Sequence, residues 1–350
     1  MRKLVLIALI PLLFAGSCEK DKPLVTGDPN PYYRIMFYNV ENLFDTLDDP
    51  LTDDAEFLPE SQKEWTDARY RDKLDKIAGV IVDLGGDTLP VLVGLCEIEN
   101  RTTLDDLLAV SGLAGLDYRI VHQDSPDKRG IDIGLLYRSR YFSLIRSAFI
   151  PIFFPFDTAV RTRDILYASG ILGGKDTLHL FVNHWPSRSS GEIESRPLRM
   201  HVAQAVKAKV DSILMVDPRA VIVITGDFND EPEDLSVVSG LQAMLTSINP
   251  GGNKLYDLTP VIGEKEPGGS YKYKGTWNLL DHMVVSGALL DTANVLYVRS
   301  ADMNAYSAGY LLEEDKEYMG QRPFRTYLGP YYHKGYSDHL PVYLDIHYHK

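Results

Sequence analysis

Five short segments carry side chains suited to chemistry, and each ends an apolar run in carboxylates, carboxamides or imidazoles. They are Phe37-Tyr38-Asn39-Val40-Glu41-Asn42, Gly94-Leu95-Cys96-Glu97-Ile98-Glu99-Asn100, Phe181-Val182-Asn183-His184-Trp185, Gly226-Asp227-Phe228-Asn229-Asp230 and Ser337-Asp338-His339. Sheet packing gathers such strand ends at one rim, where semi-buried carboxylates would repel one another. A hard cation relieves that repulsion and takes oxygen ligands from Asp, Glu and Asn. The sequence has no His-x-x-x-His, no close cysteine pair and no glycine-rich phosphate loop, so nothing in it selects zinc or a P-loop nucleotide. Mg²⁺ or Mn²⁺ is the expected ion, with Ca²⁺ also compatible. Taken singly the segments are weak. Asn39 reads equally as a turn former, and the Gly-Asp-x-Asn at 226–229 as a β-turn closed by a local side-chain hydrogen bond.

The elements that must position these residues are legible in the periodicity. Segments 34–40, 91–98, 118–121, 131–137, 220–225, 277–285 and 341–347 read as strands, and 165–172 with 177–183 as a hairpin about Gly173-Gly174. Leu74, Ile77, Ala78 and Ile81 recur at helical spacing within 65–84, as do Leu198, Val202, Ala205, Val206, Val210 and Ile213 in a later helix; 103–110 is a short helix. Segments 139–164, 231–275 and 300–336 read as irregular surface loops. Many strands with few helices imply sheets packed on each other with helices outside. No composition shift marks a second domain within the folded body.

Together, in this order and at these separations, the five motifs resemble the endonuclease/exonuclease/phosphatase superfamily, the deoxyribonuclease I-like phosphodiesterases. The resemblance runs from Asn39 to Leu344. It implies an α/β fold, a four-layer α/β/β/α sandwich, and Mg²⁺-assisted hydrolysis of phosphoester bonds in DNA, RNA, inositol phosphates, sphingomyelin or nucleotide-like cofactors. By the same resemblance, Glu97 is the principal metal carboxylate. Asn39 helps hold the metal or the phosphate, and Asp338 lies near the metal. Asp227 and Asn229 position the attacking water and the phosphate. His339 acts at the scissile phosphate with Asp281 orienting it, and His184 is a second imidazole donating to a phosphate oxygen. Asp132 is the expected partner of His184, because an acid in a strand-like segment is expensive to bury unpaired. His282 is not expected to be catalytic. An acid-backed imidazole is suited to general base work near neutral pH; His339 and Asp227 both remain candidates for that base.

The chain has 36 basic and 49 acidic residues, a net charge of −13. An acidic surface repels nucleic acid at long range, so a phosphoester substrate requires local positive charge. A divalent ion is the simplest source, and Arg129, Arg188 and Arg199 are the expected substrate-binding cations, with Arg196 nearby in sequence. The Tyr-rich segment 300–336, with Arg322 and Arg325, suits either base stacking or loop anchoring, and anchoring is the preferred reading. Three functions stay open: an extracytoplasmic nuclease or phosphodiesterase, a hydrolase of a small or lipid phosphoester, and a non-catalytic binding lipoprotein. The intact set Glu97, Asp227, Asn229, Asp338 and His339 disfavours the last.

At the start of the chain, Arg2 and Lys3 precede an apolar run at 4–14, too short to span a bilayer, and then Ala15-Gly16-Ser17-Cys18. This reads as a secretory signal and resembles that of a bacterial lipoprotein, with Cys18 acylated after cleavage. The expected organisation is a signal at 1–17, a tether at 18–31 and the phosphoesterase-like domain at 32–350. The expected location is the cell envelope, anchored outside the cytoplasm, or secreted if Cys18 is not acylated. A monomer is expected, its partners being the phosphoester substrate and the membrane. The two cysteines are Cys18 and Cys96, and Cys96 reads as a small packing residue.

Overall fold

The computed structural model describes residues 31–245 and 250–349; the expected signal, Cys18 and nearly all of the tether lie outside them. Strand β1 (Tyr33–Leu43) sets the plan. Its residues alternate between two apolar environments, as the period of a strand requires. Tyr33, Ile35 and Phe37 enter one core, and Met36, Tyr38 and Val40 another. A strand buried on both faces needs a layer on each side.

One sheet runs β12 (Val342–Tyr348), β1, β2 (Leu92–Ile98), β4 (Asp132–Arg138), β3 (Tyr118–His122), with short strands Leu296–Tyr297 and Met303–Ala305 pairing on β12. The second runs β5 (Phe142–Ile150), β6 (Ile165–Leu172), β7 (Asp176–His184), β8 (Val221–Asp227), β11 (Asp281–Ser286), β10 (Leu255–Asp257), β9 (Ala243–Met244). The sheets face each other over Phe37, Leu135, Leu166, Leu180, Val182, Val223, Met283 and Leu344. They approach closely at Gly94, where a Cβ would lie 2.9 Å from Val182 Cγ1. Helices α1 (Asp67–Gly85) and α2 (Arg101–Ala109) cover the first sheet through Leu74, Ile77, Ile81, Leu104 and Leu107. Helix α3 (Glu192–Val216) covers the second through Val202, Val206 and Val210. The layers are α/β/β/α, as the resemblance implies. Among the described residues, no helix is long and apolar enough to cross a membrane.

All three of the expected loops differ, and 231–275 already supplies β9 and β10 to the second sheet. Segment 139–164 contains β5, an edge strand paired to β6 with a register shift between Leu144 and Arg146. Of its residues only Phe142 is buried, so it has no apolar run to announce it. Segment 300–336 folds back in two small hairpins, Leu312–Glu314 with Gln321–Pro323 and Tyr327–Leu328 with Tyr331–Tyr332.

Candidate active site

The inward-facing rows that build the inter-sheet core turn polar at one end. In β7 the row Leu178, Leu180, Val182 continues to His184; in β8, Val221 and Val223 lead through Thr225 to Asp227; in β11, Val285 and Met283 lead to Asp281. In β1, Ile35 and Phe37 lead to Asn39. His184 and Asp281 are both register partners of Asp227. Strand periodicity alone therefore brings Asn39, His184, Asp227 and Asp281 to one place.

Glu97 arrives by a different device. Cys96 faces the inter-sheet core and Ile98 the opposite core, which leaves Glu97 as the extra residue of a bulge, with φ +60°. A bulge re-aims one side chain without disturbing the alternation around it. Glu41, Asn42 and Asn229 are also non-glycine residues at positive φ, 51°, 56° and 52°. Such backbone concentrates where function over-determines conformation. Gly226, at φ +154°, is obligatory: a Cβ there would meet Asn183 O at 2.2 Å.

Asn39 Nδ2 donates to Glu97 Oε1 at 3.2 Å and to Asp227 Oδ2 at 3.1 Å, while its Oδ1 accepts from Glu41 N. In this arrangement Asn39 ties two carboxylates together and its oxygen is already engaged. His184 Nε2 lies 3.9 Å from Glu97 Oε1 and 3.8 Å from Asp227 Oδ2. His339 Nδ1 donates to Asp281 Oδ2 at 2.7 Å, which leaves Nε2 facing Asp227 Oδ2 at 3.7 Å. Asn229 N donates to Asp227 Oδ1 at 2.9 Å, and Asn229 Nδ2 to Trp185 O. The loop before β12 is pinned by Ser337, whose hydroxyl donates to Asn39 O at 2.7 Å.

The electrostatics divide the two imidazoles. Burial, with Arg163, Arg129 and His339 nearby, holds His184 well below the ordinary histidine range, so it is neutral. Burial acts the same way on His339, but Asp281 and then Asp227 outweigh it and favour the imidazolium. Burial raises Asp227 above the usual carboxylate range. An acidic pair of strand ends with an imidazole on each side suits the activation of water. At this rim Asp227, Asp281 and His339 bring ligand atoms within 4.8 Å of one another, oxygen donors with an imidazole beside them.

The expected roles of Asp132, Arg199 and Arg188 are corrected, and the partners of Arg129, Asp338 and His282 are now fixed. Asp132 does not pair with His184. Its Oδ2 accepts from His122 Nε2 at 2.9 Å and its Oδ1 from Ser125 N at 2.8 Å. The reason is local, since β3 and β4 are hairpin neighbours and His122 lies opposite Gly134. Arg199 is fully buried within α3, its Nε 2.7 Å from Asp230 Oδ1, so it cannot meet substrate. Arg188 is engaged by Asn229 O, Asp230 and Asp234. Arg129 remains half-exposed, and its charge acts on His184. Asp338 accepts from Arg325 Nη2 at 2.8 Å, and Arg325 Nε also reaches Glu41 Oε1. His282 is buried behind the site, donating to Asp257 and to Asp230 O and stacked on Phe228.

Three nearby residues, Lys73, Arg163 and Tyr271, had no expected role, and Arg325 was expected only as part of a stacking or anchoring segment. Arg325 arrives from the Tyr-rich segment, and buried Lys73 of α1 donates to Tyr336 O. Arg163 binds Asp127 and Trp185 O. Tyr271 packs its ring against His339 at 4.7 Å. The signal for Arg163 was its place just before a strand; nothing local marked Lys73.

A model of the endonuclease/exonuclease/phosphatase family matches residues 34–348. The chain belongs to that family. Among solved structures, a humanized D. rerio TDP2 shares 16% identity over 91% of this chain and 99% of that one, with a TM-score of 0.56. The human Nocturnin catalytic domain with bound sulfate shares 17% over 92% and 97%, with a TM-score of 0.53. A family protein from Bacteroides thetaiotaomicron shares 15% over 91% and 98%, also with a TM-score of 0.53. No curated protein matches the sequence significantly. The family member thus has the fold of phosphoester hydrolases, with polar strand ends converging at one rim of the sandwich.

Proposed function

We propose that the protein is a divalent-metal-dependent phosphodiesterase working outside the cytoplasm, with Mg²⁺ or Mn²⁺ as its ion. The observation that carries this reading is the convergence of Glu97, Asp227 and His184 beside a His339 backed by Asp281. A cation held by Glu97 and Asp227 would withdraw charge from the phosphoryl oxygens and stabilise charge developing on them. Asn39 bridges the two carboxylates through its Nδ2. Asp281 commits His339 Nδ1, so Nε2 is the working atom. A water seated between Asp227 Oδ2 and His339 Nε2 would give its proton to that pair while attacking phosphorus in line, the bond from phosphorus to the leaving oxygen breaking opposite it and the departing alkoxide taking a proton from solvent. Neutral His184 and the Asn229 carboxamide supply donors to the phosphate.

A D. rerio TDP2 structure holds a single-stranded DNA product, which supports nucleic acid as substrate. A second reading, a small or lipid phosphodiester, is favoured by the internal engagement of Arg188 and Arg199. That leaves little free positive charge beyond Arg129 on a chain of net charge −13. Salt separates the two, because polymer affinity falls steeply as counterions are released. The test is hydrolysis of plasmid DNA, RNA and bis-p-nitrophenyl phosphate with Mg²⁺, with Mn²⁺ and with chelator. Undiminished turnover in chelator would sink the metal reading, and nucleic-acid cleavage insensitive to salt would sink the polymer reading. The anchoring proposal rests on the apolar run at 4–14 and Cys18; fatty-acid labelling that persists in Cys18→Ser would overturn it.

A further inference from the structure

Arg325 stands beside the loop that carries His339, and the hydrolytic reading does not use it. The backbone around it is fixed by pairing within the Tyr-rich segment. Phe324 N donates to Leu311 O at 2.8 Å, His333 N to Thr326 O at 2.8 Å and Gly335 N to Arg325 O at 3.1 Å. Thr326 N donates to Glu41 Oε2 at 2.6 Å, which fastens the segment to the end of β1. The strand order β12, β1, β2, β4 then sets the geometry. Asp338 and Glu41, which hold Arg325, lie on one side of Glu97. The turn of Arg129, just before β4, lies on the other.

The guanidinium is held along one edge only. Nε donates to Glu41 Oε1 at 3.2 Å and Nη2 to Asp338 Oδ2 at 2.8 Å. These two nitrogens share the side-on edge. Nη1, on the end-on edge, has no acceptor among the described residues, and the side chain is 37% exposed. Arg188 differs, because its Nε, Nη2 and Nη1 all face acceptors: Asn229 O, Asp230 with Asp234, and Glu192. Glu41 does not rely on Arg325 alone, since Thr326 N and the charge of buried Lys73 also meet it. Tyr271, whose ring packs on His339 at 4.7 Å, feels Asp338, Arg325 and Asp227 together. The guanidinium thus lies on the His339 side of the cleft.

We infer that Arg325 is a substrate-binding residue whose end-on edge receives an anionic group next to the phosphate being cleaved. The inference rests on the phosphodiesterase reading and narrows its substrate to a phosphodiester carrying a second phosphate. The end of a guanidinium presents two parallel N–H groups, a match for two phosphate oxygens. Glu41 and Asp338 pre-orient that fork, so little side-chain freedom is lost on binding. Arg325 supplies on this flank the positive charge that Arg188 and Arg199 cannot. A substrate with one phosphate would leave the fork unused.

The probes are a thymidine dinucleotide and the same dinucleotide phosphorylated at both ends, each titrated calorimetrically into the full chain in chelator. Wild type should bind the phosphorylated form at least ~10-fold more tightly, and Arg325→Met less than ~3-fold, one charge-assisted contact being lost. No preference in wild type, or an unchanged preference in folded Arg325→Met, would overturn the inference. Should that variant fail to fold, phenylglyoxal modification of the wild-type chain, mapped by peptide mass spectrometry, answers the same question. The phosphorylated dinucleotide should protect Arg325 and the unphosphorylated one should not. Equal modification with both, or no modification of Arg325 without ligand, would overturn the assignment. Neither measurement needs metal or turnover. A chain that shows the Arg325 contact but hydrolyses no phosphodiester would therefore sink the phosphodiesterase reading and leave the contact standing.

Discussion

Replacing Asp281 with Asn probes the site with little change of shape. Asp281 is buried, its Oδ2 accepts from His339 Nδ1 at 2.7 Å, and its Oδ1 has no partner. The carboxylate can only accept, so it forces the Nδ1–H tautomer and leaves Nε2 for chemistry. A carboxamide can present its NH₂ to Nδ1 instead, moving the proton to Nε2 and removing the acceptor there. It also withdraws the charge that favours the imidazolium. Losses of this kind run from ~10² to ~10⁴ in turnover, or roughly 2.7–5.5 kcal/mol of activation free energy. The same substitution removes one partner of the buried His339 pair while relieving repulsion with Asp227, which faces Asp281 in register, so the melting temperature should fall by less than breaking an isolated buried ion pair would cost. The assay is steady-state hydrolysis of bis-p-nitrophenyl phosphate at saturating Mn²⁺, paired with a thermal melt. A loss below ~10-fold in folded Asp281→Asn would refute the role given to the His339–Asp281 pair.

Glu99 is pushed up to about 8, by burial first, and then by Asp45, Asp54 and Asp49 against the donation of Asp45 N. Its folded form holds a proton that the unfolded chain releases, so stability should fall as pH rises from the ordinary carboxylate range to about 8. Glu99→Gln should flatten that decline and add about 1–2 kcal/mol at pH 9 in urea unfolding, after allowing for solvent near the loop; an unchanged pH slope would count against it. Gly226→Ala should destabilise by about 3 kcal/mol, read by the same unfolding assay, because both φ and the Asn183 carbonyl oppose a Cβ. Arg199→Met breaks a buried ion pair and should lose about 3–5 kcal/mol of stability with KM unchanged. Arg129→Ala should do the reverse, raising KM several-fold at wild-type stability, and a matched KM effect in both would restore the substrate role of Arg199.

The strands that end near Asn39, His184, Asp227 and Asp281 were legible as apolar runs and their roles through the resemblance; the fold shows why they meet, since each continues an apolar alternation and alternation dictates which face a side chain takes. The same rule separates Asp281 from His282: adjacent residues must point to opposite sides, and His282 duly stacks on Phe228 behind the site. Glu97 breaks the alternation, and its place was legible only through the resemblance of the whole motif set. The Asp132 assignment failed on distance in topology. His122 was available one hairpin strand away, whereas His184 stands on the opposite sheet. The arginines failed for a different reason. Positive charge near a candidate phosphate site invites a substrate role, yet Asp230, three residues beyond Asp227, sits 2% exposed and engages both Arg188 and Arg199. An interior acid of that kind must be paired, so it claims nearby guanidinium groups before any ligand can. Arg325, 284 residues from Glu41, shows where local reading ends. Its segment has neither an apolar period nor a motif, and its contact exists only once two sheets and a helix have brought Glu41 and Asp338 together. Pattern thus discloses which strand ends meet; which charges remain free to meet a substrate is decided by the pairings the finished fold has already made.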